Sequence, residues 1–278
     1  MKKLILISIA LLMAANSFAL EYEPTWRRAD WRPISRLYIT SFAVDDYTLL
    51  RKNKDYEWTV PPADLKRSVF SRDAFVKYMV ETFKKKYPKG GEPIIPSYMN
   101  LKNRDATMDS FKGSPIYHSN IVFISGHGNQ QTLAMSDELV DIGYKAFGGD
   151  IKWVFIDACD VLNVNKDGKL DKGPSPSRRD GKKYENLKKA FIGAHAILGY
   201  YSQSWEFPQN SNANANYNSE LRYKYFAKNF IEKGMTVWKA YYTAHKEYYE
   251  EVDNVYFKSN KKHIDGFEPA IAYIEGTD

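Results

Sequence analysis

Residues 120–129, NIVFISGHGN, and residues 153–159, WVFIDAC, decide the fold between them. Both are apolar runs rich in Ile, Val, Phe and Trp without strict alternation, the pattern of a strand buried on both faces of a parallel sheet. Each ends abruptly, the first on Gly126-His127-Gly128 and the second on Asp157-Ala158-Cys159. Between them residues 137–147, DELVDIGYKAF, have helix-like spacing and run into Gly148-Gly149 as a stop signal. Strand, helix, strand predicts a βαβ unit with a right-handed crossover and parallel strands. Such strands end on one edge of the sheet, where open α/β folds keep their sites. His127 and Cys159, 32 positions apart, are therefore expected to meet at that edge.

Outward from this pair, residues 36–44 and 194–200 are further strand candidates, and residues 94–101 and 270–274 weaker ones. Residues 71–87 predict an amphipathic helix with Ser71 as N-cap and Asp73 in the first turn. Phe75, Met79 and Phe83 share one face of it, and lysines fill its last turn. A helical turn is expected at 105–111, a short helix at 185–191, and a helix pair at 220–232 and 236–251 split by Gly234. Residues 160–186 are the most polar stretch and predict a long loop. The expected organisation is one α/β domain over residues 34–278 behind a short strap at 20–33.

Residues 1–19 have the make-up of a secretory signal peptide. Lys2-Lys3 precede an apolar run over 4–15, and Ser17 and Ala19 are the small residues of a cleavage site. The run is too short to span a bilayer, so a secreted or periplasmic protein with no membrane contact after processing is expected. Losing Lys2 and Lys3 lowers the formal charge from +6 to +4. Lysines alternate with Glu and Asp along the helices, a solvated face and not a nucleic-acid patch. A monomer is expected.

Cys159 is the single cysteine, so it has no internal disulfide partner. A thiol attacks carbonyls as thiolate, and an adjacent histidine makes or stabilises that form. Gly126 and Gly128 suit a tight loop with free backbone N–H groups, and the amides of Gly128 and Cys159 are candidates for an oxyanion hole. No third member is evident, so the expectation is a His127–Cys159 dyad. Tyr201, Ser202 and Trp205, after the 194–200 strand, are candidates to line a substrate groove. Asn163, Asn165, Asp167, Gly168 and Asp171 match the start of an EF-hand loop, but its twelfth position is Pro174 instead of Glu. Two readings stay open there: a loop-ordering Ca²⁺ site without its bidentate ligand, and a plain polar loop. No cofactor is otherwise required. His118, His195 and His245 lack metal-ligand spacing and are read as structural.

A hydrophobic strand ending in His-Gly, followed by one ending in Ala-Cys, resembles the caspase–gingipain–clostripain–legumain group of cysteine peptidases. RDATMDSF before the histidine strand, GAHAILGYYS after the polar loop and FIEKGMTVWKAYYTAHKEY near the end extend the likeness over roughly residues 36–249. The resemblance implies a caspase-like three-layer α-β-α fold with a mostly parallel sheet. It implies a secreted cysteine endopeptidase acting on protein or peptide substrates. The caspase Q-A-C-x-G signature is absent, and the tighter His-to-Cys spacing looks more like gingipains. Asp157 stands two before the cysteine, as in the D-x-C pattern of metacaspases and paracaspases, where it helps form a pocket for Arg or Lys. A preference for basic residues before the scissile bond is thus one expectation, and an Asp that bonds loop amides is the other. Under the first, Arg178-Arg179 and Lys182-Lys183 become sites of self-cleavage. A non-catalytic exported binding module on the same fold and a related transpeptidase are the alternative functions.

Overall fold

The computed structural model describes residues 37–53, 62–65, 67–87, 97–112, 116, 118–143, 147–148, 150–163, 181–192, 194–200, 221–252 and 271–275. All of them fall within one compact unit, Arg36–Asp278. The expected signal peptide and strap lie outside the described residues.

In chain order the elements are β1 (Tyr38–Ala43), α1 (Thr48–Lys52), α2 (Ser68–Lys86), β2 (Ser97–Lys102), a 3₁₀ turn at Asn103–Asp105 and α3 (Met108–Lys112). Then come β3 (Ile121–Ser125), β4 (Gly128–Asn129), β5 (Thr132–Ala134), β6 (Leu139–Asp141), β7 (Phe147–Gly148) and β8 (Trp153–Asp157). The last are α4 (Gly181–Lys188), β9 (Phe191–Ile192), β10 (Ala196–Tyr200), α5 (Leu221–Ala227), a π segment at Lys228–Glu232, α6 (Val237–Val252) and β11 (Ile271–Glu275). Six strands form one sheet in the order β11-β10-β8-β3-β1-β2. It is parallel throughout except at the β10–β11 edge pair.

Strand pleating divides the sheet's side chains between two cores. On one face Phe42, Val122, Ile124, Val154, Ile156 and Ile197 pack with Tyr47 and Leu50 of the α1 segment, Phe111 of α3 and Leu187 of α4. On the other face an aromatic stack forms against α2, α5 and α6. Phe75 lies 4.4 Å from Phe123 and 5.3 Å from Phe155, and Phe155 meets Phe226 at 5.0 Å. Helices cover both faces, so the mostly parallel, three-layer α/β architecture expected from the sequence is the one found.

Two expectations are corrected. Residues 137–147 are not a crossover helix. Their described residues form β6, a turn at Ile142-Gly143 and the start of β7, and the β4-β5-β6 sheet lies within the connection between β3 and β8. Asp141 fixes that turn, accepting the Gly143 N–H at 2.7 Å and the Asn186 side-chain amide at 3.1 Å. The β4–β5 hairpin turns through Gln130 (φ 40°) and Gln131 (φ 74°), so both central residues are left-handed, as in a type I′ turn. Second, α2 begins at Ser68, so Ser71 is buried in its first turn instead of capping it. The cap comes from another segment, because the Asp45 carboxylate accepts the Val69 N–H at 3.2 Å.

A buried polar cluster links the helical layer to β10. His245 Nδ1 lies 2.8 Å from the Tyr241 carbonyl, which can only accept, so Nδ1 carries the proton. Nε2 therefore accepts from the Tyr200 hydroxyl at 2.8 Å. Burial, and then the nearby Arg222 charge, push the His245 pKa down to about 3. An unfolded histidine titrates near 6.5. The stability this neutral imidazole contributes is full above pH 6.5 and is lost as the pH falls toward 3. We expect the wild-type protein to lose a few kcal/mol more than His245→Gln between pH 7 and pH 4, read from urea midpoints. Parallel losses in the two proteins would show that His245 does not carry this linkage.

Candidate active site

β3 and β8 are parallel neighbours with Ser125 beside Asp157. The Gly126 N–H continues the ladder by donating to the Asp157 carbonyl at 3.3 Å. Both strands stop there, so His127 and Cys159 each follow two positions after an aligned pair. Gly128 then presses onto the turn that follows β8. A Cβ placed on Gly128 would lie 2.5 Å from Val161 Cγ1, 2.8 Å from the Cys159 carbonyl oxygen and 2.9 Å from Ala158 Cβ. Only glycine permits that approach. After the half-buried Cys159 the chain turns sharply through Asp160, whose φ of 62° is uncommon for a non-glycine residue. Burial raises the Asp160 carboxyl above its usual range, against a smaller opposing effect of the Asn163 hydrogen bond.

The imidazole of His127 is tied on one side. Its Nε2 lies 2.8 Å from the Ala63 carbonyl. A carbonyl only accepts, so Nε2 carries the proton and Nδ1 is the basic nitrogen. The His127 N–H donates to the Tyr47 hydroxyl at 2.8 Å, and the two rings sit 5.1 Å apart. Burial pulls the imidazole below its ordinary pKa, and the Ala63 bond opposes this only in part. Burial therefore favours the neutral form of the His127 ring. Beside it, the Ala134 N–H donates to the His127 carbonyl at 3.0 Å. That makes 127/134 a hydrogen-bonded pair and Gly128/Leu133 the next, non-bonded one, so the Gly128 N–H points away from β5.

Asp157 does not fit the pocket for a basic side chain that the sequence suggested. Its Oδ2 accepts from Arg222 Nη2 at 2.7 Å and from the Tyr223 hydroxyl at 2.5 Å, all within the interior. Arg222 is fully buried, so the carboxylate's charge is matched inside the fold. Basic specificity read from Asp157 is thereby corrected, since a substrate cation would have to displace that guanidinium. Tyr47, Ala63, Arg222 and Tyr223 were not singled out from the sequence.

The other sequence candidates are placed as follows. Tyr201, Ser202, Trp205, Asn165, Asp167, Asp171, Arg178 and Arg179 lie outside the described residues. Asn163 is fully buried at the end of the Cys159 turn, and its side chain bonds Asp160. Among the described residues no group of three or more His, Cys, Asp and Glu is arranged to hold a metal ion. Lys182 and Lys183, expected in a loop, begin α4, and the Lys183 carbonyl accepts from Gln131 Nε2 at 2.6 Å. Cleavage beside Lys183 would require that helix to open.

Residues 104–266 match the model of a family described as a domain of unknown function, DUF6345. No curated protein shows significant similarity to the chain. Among solved structures it is similar to the Arg-specific cysteine proteinase gingipain R, with 11% identity and a TM-score of 0.44, over 84% of this chain and 45% of that one. It is also similar to the complex of Porphyromonas gingivalis RgpB pro- and mature domains, at 12% identity and a TM-score of 0.42, over 85% of this chain and 46% of that one. The chain thus spans about half the length of these structures.

Two substitutions check the geometry. Asp157→Ala leaves Arg222 charged and unmatched in the interior, and should cost about 3–5 kcal/mol of stability in denaturant titration. A cost under about 1 kcal/mol would mean the pair is not buried as described. Gly128→Ala forces the His127 loop off the Cys159 carbonyl and should lower the alkylation rate of Cys159 by tenfold or more, since a displacement of about 1 Å costs up to 10²-fold. An unchanged rate would show that the contact does not set the site.

Proposed function

The chain belongs to the DUF6345 family, whose function is unknown, and from its own residues we propose that it is an exported cysteine peptidase acting through a His127–Cys159 dyad. The observation that carries this reading is the contact of Gly128 with the Cys159 carbonyl, beside an imidazole whose Nε2 is held by Ala63. A nucleophile, a base with a set tautomer and two backbone amides then share one sheet edge.

Under this reading His127 Nδ1 takes the Cys159 thiol proton, and the sulfur attacks the peptide carbonyl carbon. The carbonyl electron pair moves onto oxygen, where the amides of Gly128 and Cys159 hold the charge; one such donor is worth about 3 kcal/mol. Nδ1 returns its proton to the departing amine, leaving a thioester. The same nitrogen then deprotonates a water molecule, whose attack releases the acid and restores the thiol. An amine in place of that water makes the same enzyme a transpeptidase. The substrate is a protein or peptide met after export. No preference for basic residues is taken from Asp157.

A fluorogenic peptide library, assayed with and without Ca²⁺ and with added amine, tests the reading. A general base works in its neutral form, and burial lowers the His127 pKa, so the acid limb of kcat/KM should fall below pH 6.5. His127→Ala and Cys159→Ala should each remove turnover. No hydrolysis, together with iodoacetamide alkylation of Cys159 no faster than of a free thiol and unaffected by His127→Ala, would reject the enzyme in favour of a binding module.

A further inference from the structure

His127 is held by a carbonyl from residues 62–65, and nothing about Ala63 itself explains why its oxygen should stay there. Ala63 is solvent-exposed and contributes only a methyl group. The explanation lies on either side of it. Arg51 of α1 donates through Nη1 to the Pro62 carbonyl at 3.0 Å. The same guanidinium grips the Asp64 carboxylate with two bonds, Nη1 to Oδ1 at 2.8 Å and Nη2 to Oδ2 at 3.3 Å. Asp64 Oδ1 also accepts the Tyr47 N–H at 3.0 Å, and the Leu65 N–H donates to the Asp45 carbonyl at 2.9 Å. Thr48 Oγ1 completes the fork by accepting from Nη2 at 3.3 Å.

We propose that Arg51 is a positioning residue: by binding both neighbours of Ala63 it keeps the Ala63 carbonyl on His127 Nε2 and so determines which imidazole nitrogen is the base. The planar fork suits this task, because it presents fixed coplanar donors to a backbone carbonyl and a carboxylate together, where an ammonium group offers three rotatable ones. Tyr47 couples the two halves of the device. Its backbone N–H is bound to Asp64 while its hydroxyl receives the His127 N–H, so the clamp and the histidine loop share one residue. The Asp64 carboxyl is held below its usual range by the Arg51 hydrogen bond first and the Tyr47 N–H second, consistent with a formed clamp. The pair is partly exposed, with Arg51 at 32% and Asp64 at 55%, so salt screens it. The tautomer claim stands on geometry alone; its effect on rate rests on the proposed dyad.

The test is ¹⁵N spectroscopy of the histidine rings in the full chain, with His127→Ala assigning the signals. In wild type, neutral His127 should show a protonated Nε2 and an unprotonated Nδ1. Arg51→Met and Asp64→Asn should each shift it toward a mixture of tautomers, the double variant should add nothing, and Arg51→Lys should restore only part. Cys159 alkylation should fall about two- to fivefold in each single variant, the size expected of an exposed pair, with an altered acid limb of its pH profile and little change in melting temperature. An unchanged tautomer and pH profile in Arg51→Met overturns the proposal, even if His127→Ala abolishes reactivity. A tautomer shift with Cys159 reactivity independent of His127 leaves the clamp standing and removes the dyad.

Discussion

A Cβ on Gly128 would come within 2.8 Å of the Cys159 carbonyl oxygen, closer than packing allows. That close approach follows from the parallel register of β3 and β8, which brings Ser125 level with Asp157 and ends both strands together. The loops beyond them then have to share one small volume at the sheet edge. A side chain on Gly128 would move the histidine loop, the cysteine turn or both. The absence of a side chain here is thus as consequential for the site as the imidazole and the thiol.

The interior below the site is built to keep that register. Asp157, the last residue of β8, is locked to Arg222 and Tyr223 of α5, and α5 packs against α2 and α6. A buried ion pair of this kind adds little net stability, because desolvation offsets most of the attraction. Its geometric consequence is larger: Arg222 and Tyr223 both bond one carboxylate oxygen, so a slip of the end of β8 would break both contacts. Among the described residues Arg222 Nε and Nη1 have no hydrogen-bond partner, so the guanidinium already carries part of the cost of serving Asp157. The arrangement explains how a carboxylate two residues before Cys159 is a strut of the fold.

Much of this was legible in the sequence, and the parts that were not share a cause. β1, β3, β8 and β10 announced themselves because strands buried on both faces need unbroken apolar runs. The sheet edge at His127 and Cys159 followed from parallel topology alone. Residues 137–147 misled because apolar residues at 139, 140, 142 and 147 suit a helix face and a pair of short strands almost equally. What decides between them is Asp141 bonding Gly143 and Asn186, a contact 45 residues away that local spacing does not encode. Asp157 misled for the same reason, since Arg222 lies 65 positions later. Ala63 acts through its carbonyl, which every residue possesses, so no residue-type signal existed for it.

The electrostatics of the site follow from where water is excluded. Half-burial of His127 disfavours its cation, and the Ala63 carbonyl restores only part of that loss. Burial therefore favours the neutral ring over the imidazolium. A neutral ring has two tautomers, and only the one with the proton on Nε2 leaves Nδ1 basic. Burial of the ring and the hydrogen bond to Ala63 are thus two halves of one requirement. The first favours the uncharged ring, and the second determines which nitrogen has the lone pair.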